Sequence, residues 1–430
     1  MAGALVLALD TSDATVGHAH AQFGISVLAL LFGVWTFWTH GRRQVTAAGV
    51  YGIGSAVFVG FAGLYWWNDR GRLLPGTLFA ATAVCYFTHV GMYFLFWHRQ
   101  GRGFKDLPWH PAERDVSNGG VLLGAVVTLC GVAAASRGAL ISLSGPTAFA
   151  GIALMTVSLC RQTNLRALSP LRILLIGAAF ALYARYVFTG YGRLNLAALG
   201  LMVAIVVARQ VPGRTVKLVG LLGVGPALWV FIQLRESFGR SLYGGSGLSG
   251  IGSVVSPLRF FARLIDLQAS LPLGNGDTFL AALVTPVPSA LWADKPPGFG
   301  AVLAQIFNPQ VLGVGGSLAA LAHGEWFYDF RWWGVVAMVA VLGLAVGWTD
   351  RWLLAASSRP IVHRWQLLSL TGAVLASAGV VDLLWVGSQT YMARTGVRVL
   401  VLLLLLVTWG AFFRRERGRR PSTRARDAAP

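Results

Sequence analysis

Apolar runs of roughly 17–25 residues, each long enough to cross a bilayer, recur along almost the whole chain and are joined by short polar links. They fall at about 21–39, 45–67, 74–97, 119–135, 140–159, 173–189, 194–208, 216–234, 333–348, 367–385 and 397–413. This pattern predicts an all-α polytopic membrane protein with about eleven transmembrane helices. The rhythm breaks once, between spans eight and nine. There, residues 235–331 bring Pro, Gly, Arg, Asp, Lys, His, Glu and Trp close together. We expect this stretch to be a long extracytoplasmic loop containing short helices, inserted into a single membrane domain over 1–430. Connections of this length are usually functional. The last segment, 414–430, is RRERGRRPSTRARDAAP and reads as a disordered basic tail. The opening MAGALVLALDTSD has no basic leader and is not a typical signal peptide.

Composition agrees with the pattern. Of 430 residues, 55% are hydrophobic and 12% charged, against about 25% charged in ordinary soluble domains. The net charge of +19 would suggest nucleic acid in a soluble protein, but positive-inside asymmetry accounts for most of it, so no nucleic-acid partner is expected. With the N-terminus outside, 22 of the 35 Lys and Arg fall on inner segments and 13 on outer ones. The tail is then cytoplasmic and the 235–331 block faces outward. Cys85, Cys130 and Cys160 lie inside apolar runs and read as packing residues.

The outward block and its neighbours supply the candidate chemistry. In PLRFFARLIDL, Arg259 and Arg263 are four apart and share a helical face. They fit either a two-arginine clamp for phosphate or an interfacial helix with snorkelling arginines, with Asp266 as a surface partner. The apolar LAALV after Asp277 is too short to span, and the prolines of PVPSALW suit a re-entrant or surface-lying element. Asp294 and Lys295 precede a stiff Pro-Pro turn, where Lys295 meets an anionic head group or is simply solvated. In LAHGEWFYDFRWWG, Trp326, Phe327, Tyr328, Trp332 and Trp333 read as an aromatic belt. No belt needs His323 or Glu325. Either is a candidate general base, or the two are an exposed loop pair. On a helix they would point about 200° apart.

Four more arginines gather on the outer side: Arg185 within span six, Arg193 before span seven, and Arg394 with Arg398 at the start of span eleven. Ionisable groups at membrane depth are functional candidates by default. Asp382 can pair with one of the last two. An outward basic pocket at the bilayer surface suits a lipid diphosphate.

FTGYGRLNLAAL, RFFARLID, PVPSALWADKPPGFG and LAHGEWFYDFRWWG resemble the bacterial O-antigen (Wzy-type) polymerases over about residues 185–335. Arg193, Arg259, Lys295, Pro296 and Glu325 stand at matching positions. Two positions depart: Ser289 stands where the family often has Arg, and Asp329–Arg331 where it has Asn-Phe-Gly. His323 is similar to the periplasmic His of the related O-antigen ligases, so polymerase and ligase both stay open. The resemblance implies a metal-independent membrane glycosyltransferase that needs no cofactor. It would join polyprenyl-diphosphate-linked oligosaccharide repeat units at the outer face of the inner (plasma) membrane, building a surface polysaccharide. Arginines would stabilise the departing diphosphate, and Glu325 or His323 would take the acceptor proton. A chain-length regulator and a flippase are the partners it implies. The competing class is a lipid-linked-oligosaccharide flippase or transporter. The absence of repeated halves, and the gathering of polar residues in one outer block, count against it.

Overall fold

The fold is that of a computed structural model, which describes residues 15–68, 75–104, 111–137, 141–162, 170–188, 193–211, 214–238, 249–287, 291–292, 294–313 and 316–417. Among these described residues it is 84% helical and has no strands. A single isolated bridge joins Ala112 to Ile361 among the described residues.

Five helices of membrane-crossing length open the chain: α1 (Gly17–Thr39), α2 (Ala47–Asn68), α3 (Gly76–Trp97), α4 (Arg114–Ser136) and α5 (Leu143–Arg161). Three shorter apolar helices follow, α6 (Pro170–Tyr186), α7 (Arg193–Val207) and α8 (Thr215–Phe238). Short helices then break up the polar block, chiefly α9 (Ser256–Asp266), α10 (Asp277–Val284) and α11 (Phe299–Phe307). Three more long apolar helices close the bundle: α12 (Leu321–Ser357), α13 (Arg364–Trp385) and α14 (Ser388–Thr408). Eight helices among the described residues are thus long and apolar enough to cross a membrane. The multi-pass α-helical class expected from the sequence is what the chain adopts. The three shorter helices coincide with expected spans six, seven and eight.

The packing is that of a protein in lipid. In α13 the apolar window is 94% buried, which makes it the central helix, whereas in α14 the same window is 22% buried. Leu95, Leu122, Leu222 and Val407 point away from the bundle and are exposed, where a soluble protein would place charge. Helices meet through small residues, which let backbones approach closely. A Cβ on Gly151 would lie 2.5 Å from the Thr128 nitrogen and 2.6 Å from the Gly124 carbonyl, so α4 and α5 touch backbone to backbone.

Helix ends sort into two groups. At one end, Lys217 of α8 donates to the His40 carbonyl at 2.6 Å. The Asp350 carboxylate of α12 accepts from the Ala47 and Ala48 N–H groups at 2.6 and 3.2 Å, capping the start of α2. Arg161, closing α5, donates to the Ser357 carbonyl at 3.4 Å, and Gln210 beyond α7 donates to the Cys160 carbonyl. At the other end, Trp66 and Trp385 donate to the carbonyls of Val255 and Val254 at 2.9 and 3.3 Å, and Arg398 donates to Asn195 near the start of α7 at 2.6 Å. The polar block lies at this second end.

Two boundaries differ from the sequence reading. The ninth apolar run was expected from about 333, but α12 begins at Leu321, because LAHGEWFYDF contains no Pro and buries Leu321, Ala322 and Phe327 in the core. At 37 residues α12 is about 55 Å long, well beyond a hydrocarbon core of about 30 Å. It bends at Arg331, whose φ is 56° and ψ −146°. Arg331 holds that geometry by donating to the Leu271 carbonyl, and Gly334 leaves room where a Cβ would strike the Trp326 carbonyl at 2.3 Å. The last helical segment runs on through Arg417, four residues into the stretch expected as a disordered tail. Residues 418–430 lie outside the described residues.

Candidate functional site

The first two turns of α12 carry His323 and Glu325, both buried. The two side chains leave the helix in different directions, as positions two apart do. His323 turns toward α3, its Nε2 2.8 Å from Thr88 Oγ1. Glu325 turns toward the start of α14. It accepts from the Ser388 N–H at 2.7 Å, from Ser388 Oγ at 2.8 Å and from Thr278 Oγ1 of α10 at 3.4 Å. The approach is close: a Cβ on Gly387, whose φ is +115°, would lie 2.4 Å from the Glu325 carboxylate. Glycine is the residue that accepts both that dihedral and that proximity.

One turn further on, Asp329 accepts from Thr278 Oγ1 at the start of α10. Two carboxylates of α12 thus hold α10, and Thr278 donates to both. Phe279, Trp326 and Phe330 stack beside them. Of the expected aromatic belt, Phe327 is fully buried and Tyr328 nearly so, whereas Trp333 is 83% exposed. The reason is the helical register, which turns Phe327 toward α9, where it meets Phe261.

The helix that holds Glu325 by its first residue carries the next two candidates. Arg394 donates to Asp382 of α13 at 2.6 Å, a buried partner for a partly exposed guanidinium. Arg398 is only 2% exposed. It donates through Nη2 to Asn195 Oδ1 at 2.6 Å, and its guanidinium lies 3.6 Å from the centroid of the Phe149 ring. Its Nε and Nη1 have no hydrogen-bond partner. Helix geometry puts Ser388 and Arg398 about 15 Å apart along the axis.

The remaining candidates disperse. Arg259 lies 4.8 Å over Trp66 at the end of α2, and Arg263 5.8 Å over Phe307 at the end of α11. Their common helix, α9, buries Leu258, Phe261, Leu264 and Ile265 and packs on α12, with the Phe261 and His323 rings 6.0 Å apart. Lys295 donates to the Val287 carbonyl. Arg185 is exposed and lies 5.4 Å over Tyr186. Arg193 opens α7, two residues before Asn195, and its side chain lies outside the described residues, as does Ser289. The structure therefore joins Glu325 to Ser388 and Thr278, and sets Arg394 and Arg398 on one helix. It gives Arg259, Arg263 and Lys295 separate partners.

Thr278, Ser388 and Asn195 were not legible in the sequence as partners of the candidate site. Each is a small polar residue whose meaning depends on what the fold sets opposite it. Asp382 was legible as a partner for one of the two late arginines, and the structure gives it to Arg394. No family model, curated protein or solved structure matches the chain.

Proposed function

We propose that this protein is a membrane glycosyltransferase that polymerises polyprenyl-diphosphate-linked oligosaccharide repeat units into a surface polysaccharide. The observation that carries the reading is the sharing of α14. Its first residue holds the Glu325 carboxylate, and its third turn carries a buried Arg398 with two guanidinium nitrogens unpartnered. Buried guanidinium N–H groups without a hydrogen-bond partner are costly, and a diphosphate oxygen offsets that cost with charge-assisted hydrogen bonds. In this reading the acceptor hydroxyl oxygen attacks the anomeric carbon of the donor sugar, and the bond from that carbon to the diphosphate breaks. The hydroxyl proton passes to Glu325. The polyprenyl diphosphate leaves with its charge held by Arg398, with Arg394 beside it on the same helix.

The same reading has the chain cross the inner membrane eleven times, N-terminus outside and tail in the cytoplasm. The two-ended sorting of helix termini supports it, since α7 touches Arg398 near one terminus and, just past the other, Cys160. A chain-length regulator and a flippase remain the partners this activity would require. One observation favours a second reading, as a lipid-linked-oligosaccharide carrier: His89 and His323 are both buried within crossing helices, each with a ring nitrogen lacking a partner, and such groups mark transport pathways. The deciding experiment reconstitutes the purified protein in liposomes with synthetic lipid-linked repeat units. Growth of a product ladder with release of polyprenyl diphosphate supports the polymerase. Translocation of the unit without growth supports the carrier, and neither result would overturn both.

A further inference from the structure

Thr278 stands between two carboxylates. Its Oγ1 lies 3.4 Å from Glu325 Oε1 and is hydrogen-bonded to Asp329 Oδ2. All three side chains are buried. A hydroxyl has one hydrogen, so Thr278 donates to one carboxylate at a time. Toward the other it is an acceptor, and oxygen faces oxygen there until that carboxyl carries a proton. Neither carboxylate forms an ion pair among the described residues. Ser388 holds Glu325 from the opposite side. Asp329 Oδ1 is buried and has no hydrogen-bond partner. It lies under the turn that leads into α10. Gly274 packs so closely on it that a Cβ there would overlap the carboxylate, and the Gly274 N–H pins the turn to the Tyr328 carbonyl at 3.2 Å. Asn275 and Asp277 of the same turn are exposed, so a single layer of chain separates Asp329 from water.

Two carboxylates joined by one hydroxyl make a path for a proton. We propose that Thr278 and Asp329 carry the acceptor's proton away from Glu325 to water at the Gly274 turn, an inference that rests on the reading of Glu325 as the base. As the new bond to the anomeric carbon forms, the acceptor O–H bond breaks and its proton goes to Glu325 Oε1. Glu325 is then a donor, and Thr278 Oγ1, 3.4 Å away, accepts. Thr278 passes its own hydrogen to Asp329 Oδ2. Glu325 is a carboxylate again, Thr278 is again a hydroxyl, and the one proton rests on Asp329. There it neutralises a buried carboxylate that has an unpartnered oxygen, which is costly as an anion. Loss of that proton to water resets the pair. Without such an exit the proton on Glu325 leaves only by the side from which it came, past the bound substrate. Thr278 and Asp329 touch no reacting atom and are positioning residues for the proton. Asp329 is also a position at which this chain departs from the polymerases it resembles, so the exit would be particular to this chain.

The test follows chain growth by the purified full-length protein in liposomes with synthetic lipid-linked repeat units, and reads kcat, KM and the solvent deuterium isotope effect. Asp329→Asn keeps an oxygen that accepts from Thr278 but removes the proton's resting place. It is expected to lower kcat about tenfold or more, short of the 10²–10⁴-fold loss of a general base, with KM unchanged. Proton departure then limits turnover, so the isotope effect on kcat should exceed that of the wild type. Thr278→Val should lower kcat likewise, and Thr278→Ser, which keeps the hydroxyl, should recover most of that loss. Asp266→Asn removes the same charge from an exposed side chain on α9 and should leave turnover unchanged. Wild-type kcat and isotope effect in a folded Asp329→Asn protein would overturn the relay and leave Glu325 as the base. Equal losses in Thr278→Ser and Thr278→Val, or losses that only track the folded fraction, would also overturn it and make the trio an anchor for α10. Should Asp329→Asn not fold, the comparison of Thr278→Ser with Thr278→Val decides. No chain growth by the wild-type protein would overturn the glycosyltransferase reading itself, and the relay with it.

Discussion

Glu325→Gln separates chemistry from architecture more sharply than any other single change. The wild-type carboxylate accepts three hydrogen bonds, two from Ser388 and one from Thr278. Glutamine keeps the shape. Its oxygen can still accept from the Ser388 N–H, and its NH₂ then faces Ser388 Oγ, which rotates to accept. Thr278 keeps its bond to Asp329. The folding cost is therefore one charge-assisted bond turned neutral, about 1 kcal/mol, or a drop of a few degrees in the melting midpoint. The chemical cost is different in kind. An amide cannot take the acceptor proton, and losing a general base slows a reaction by about 10²–10⁴-fold. Glu325→Ala should be worse for folding, because it strands the Ser388 N–H and opens a cavity, about 2–4 kcal/mol in all. The assay pairs melting of the detergent-purified variants with chain growth on lipid-linked repeat units. A well-folded Glu325→Gln protein that builds chains at the wild-type rate would refute Glu325 as the base. A variant whose activity falls only as far as its folded fraction would make Glu325 an anchor for α14 and nothing more.

Arg398→Lys should fold, because the ammonium still reaches Asn195, yet lose most activity, because a point charge cannot replace a two-pronged contact; chain growth within twofold of wild type would count against the diphosphate role. Gly151→Val should destabilise by about 2–3 kcal/mol or more, since the new Cβ meets the Thr128 backbone at 2.5 Å and α4 cannot yield locally; an unchanged melting midpoint would show that the two helices are not in contact. His40 lies just past α1, with Thr46 Oγ1 2.8 Å from Nδ1 and the Trp97 carbonyl 3.1 Å from Nε2, which suits the neutral ring. Burial, the largest influence, lowers its pKa to about 4. The unfolded chain therefore binds this proton below about pH 6.5 while the folded protein does not until about 4, so stability is full above 6.5 and falls, by on the order of 3 kcal/mol, as pH drops through that window. His40→Gln should flatten this part of the pH profile, and an unaltered profile would assign the loss elsewhere. Reporter fusions at Gly276 and Arg424 should report opposite sides of the membrane, and a common side would remove the outward site.

The sequence by itself determined that this chain lives in a bilayer. Apolar runs of crossing length, sparse charge and basic links leave helices as the solution that satisfies every backbone group in hydrocarbon, and the long helices fall where the runs fall. It also marked Glu325, His323 and the arginines, because a charged or titratable side chain stands out against so apolar a background. What it could not determine is which of these groups meet. Arg259 and Arg263 look like a pair at four-residue spacing, but each reaches past its own helix, to Trp66 and to Phe307. Glu325 and Ser388 are 63 residues apart and are joined only because α12 and α14 bring their ends together. His323 and Glu325 are neighbours in the chain and are sent to different helices by the 100° step between residues. Arg161 and Arg209 were ordinary positive-inside residues in the sequence; the fold alone brings them to one cleft. Periodicity acts along a single helix and is written in the order of residues. Partnership between helices depends on their rotation and depth in the bundle, which many weak packing contacts set together, and no local stretch of sequence encodes it.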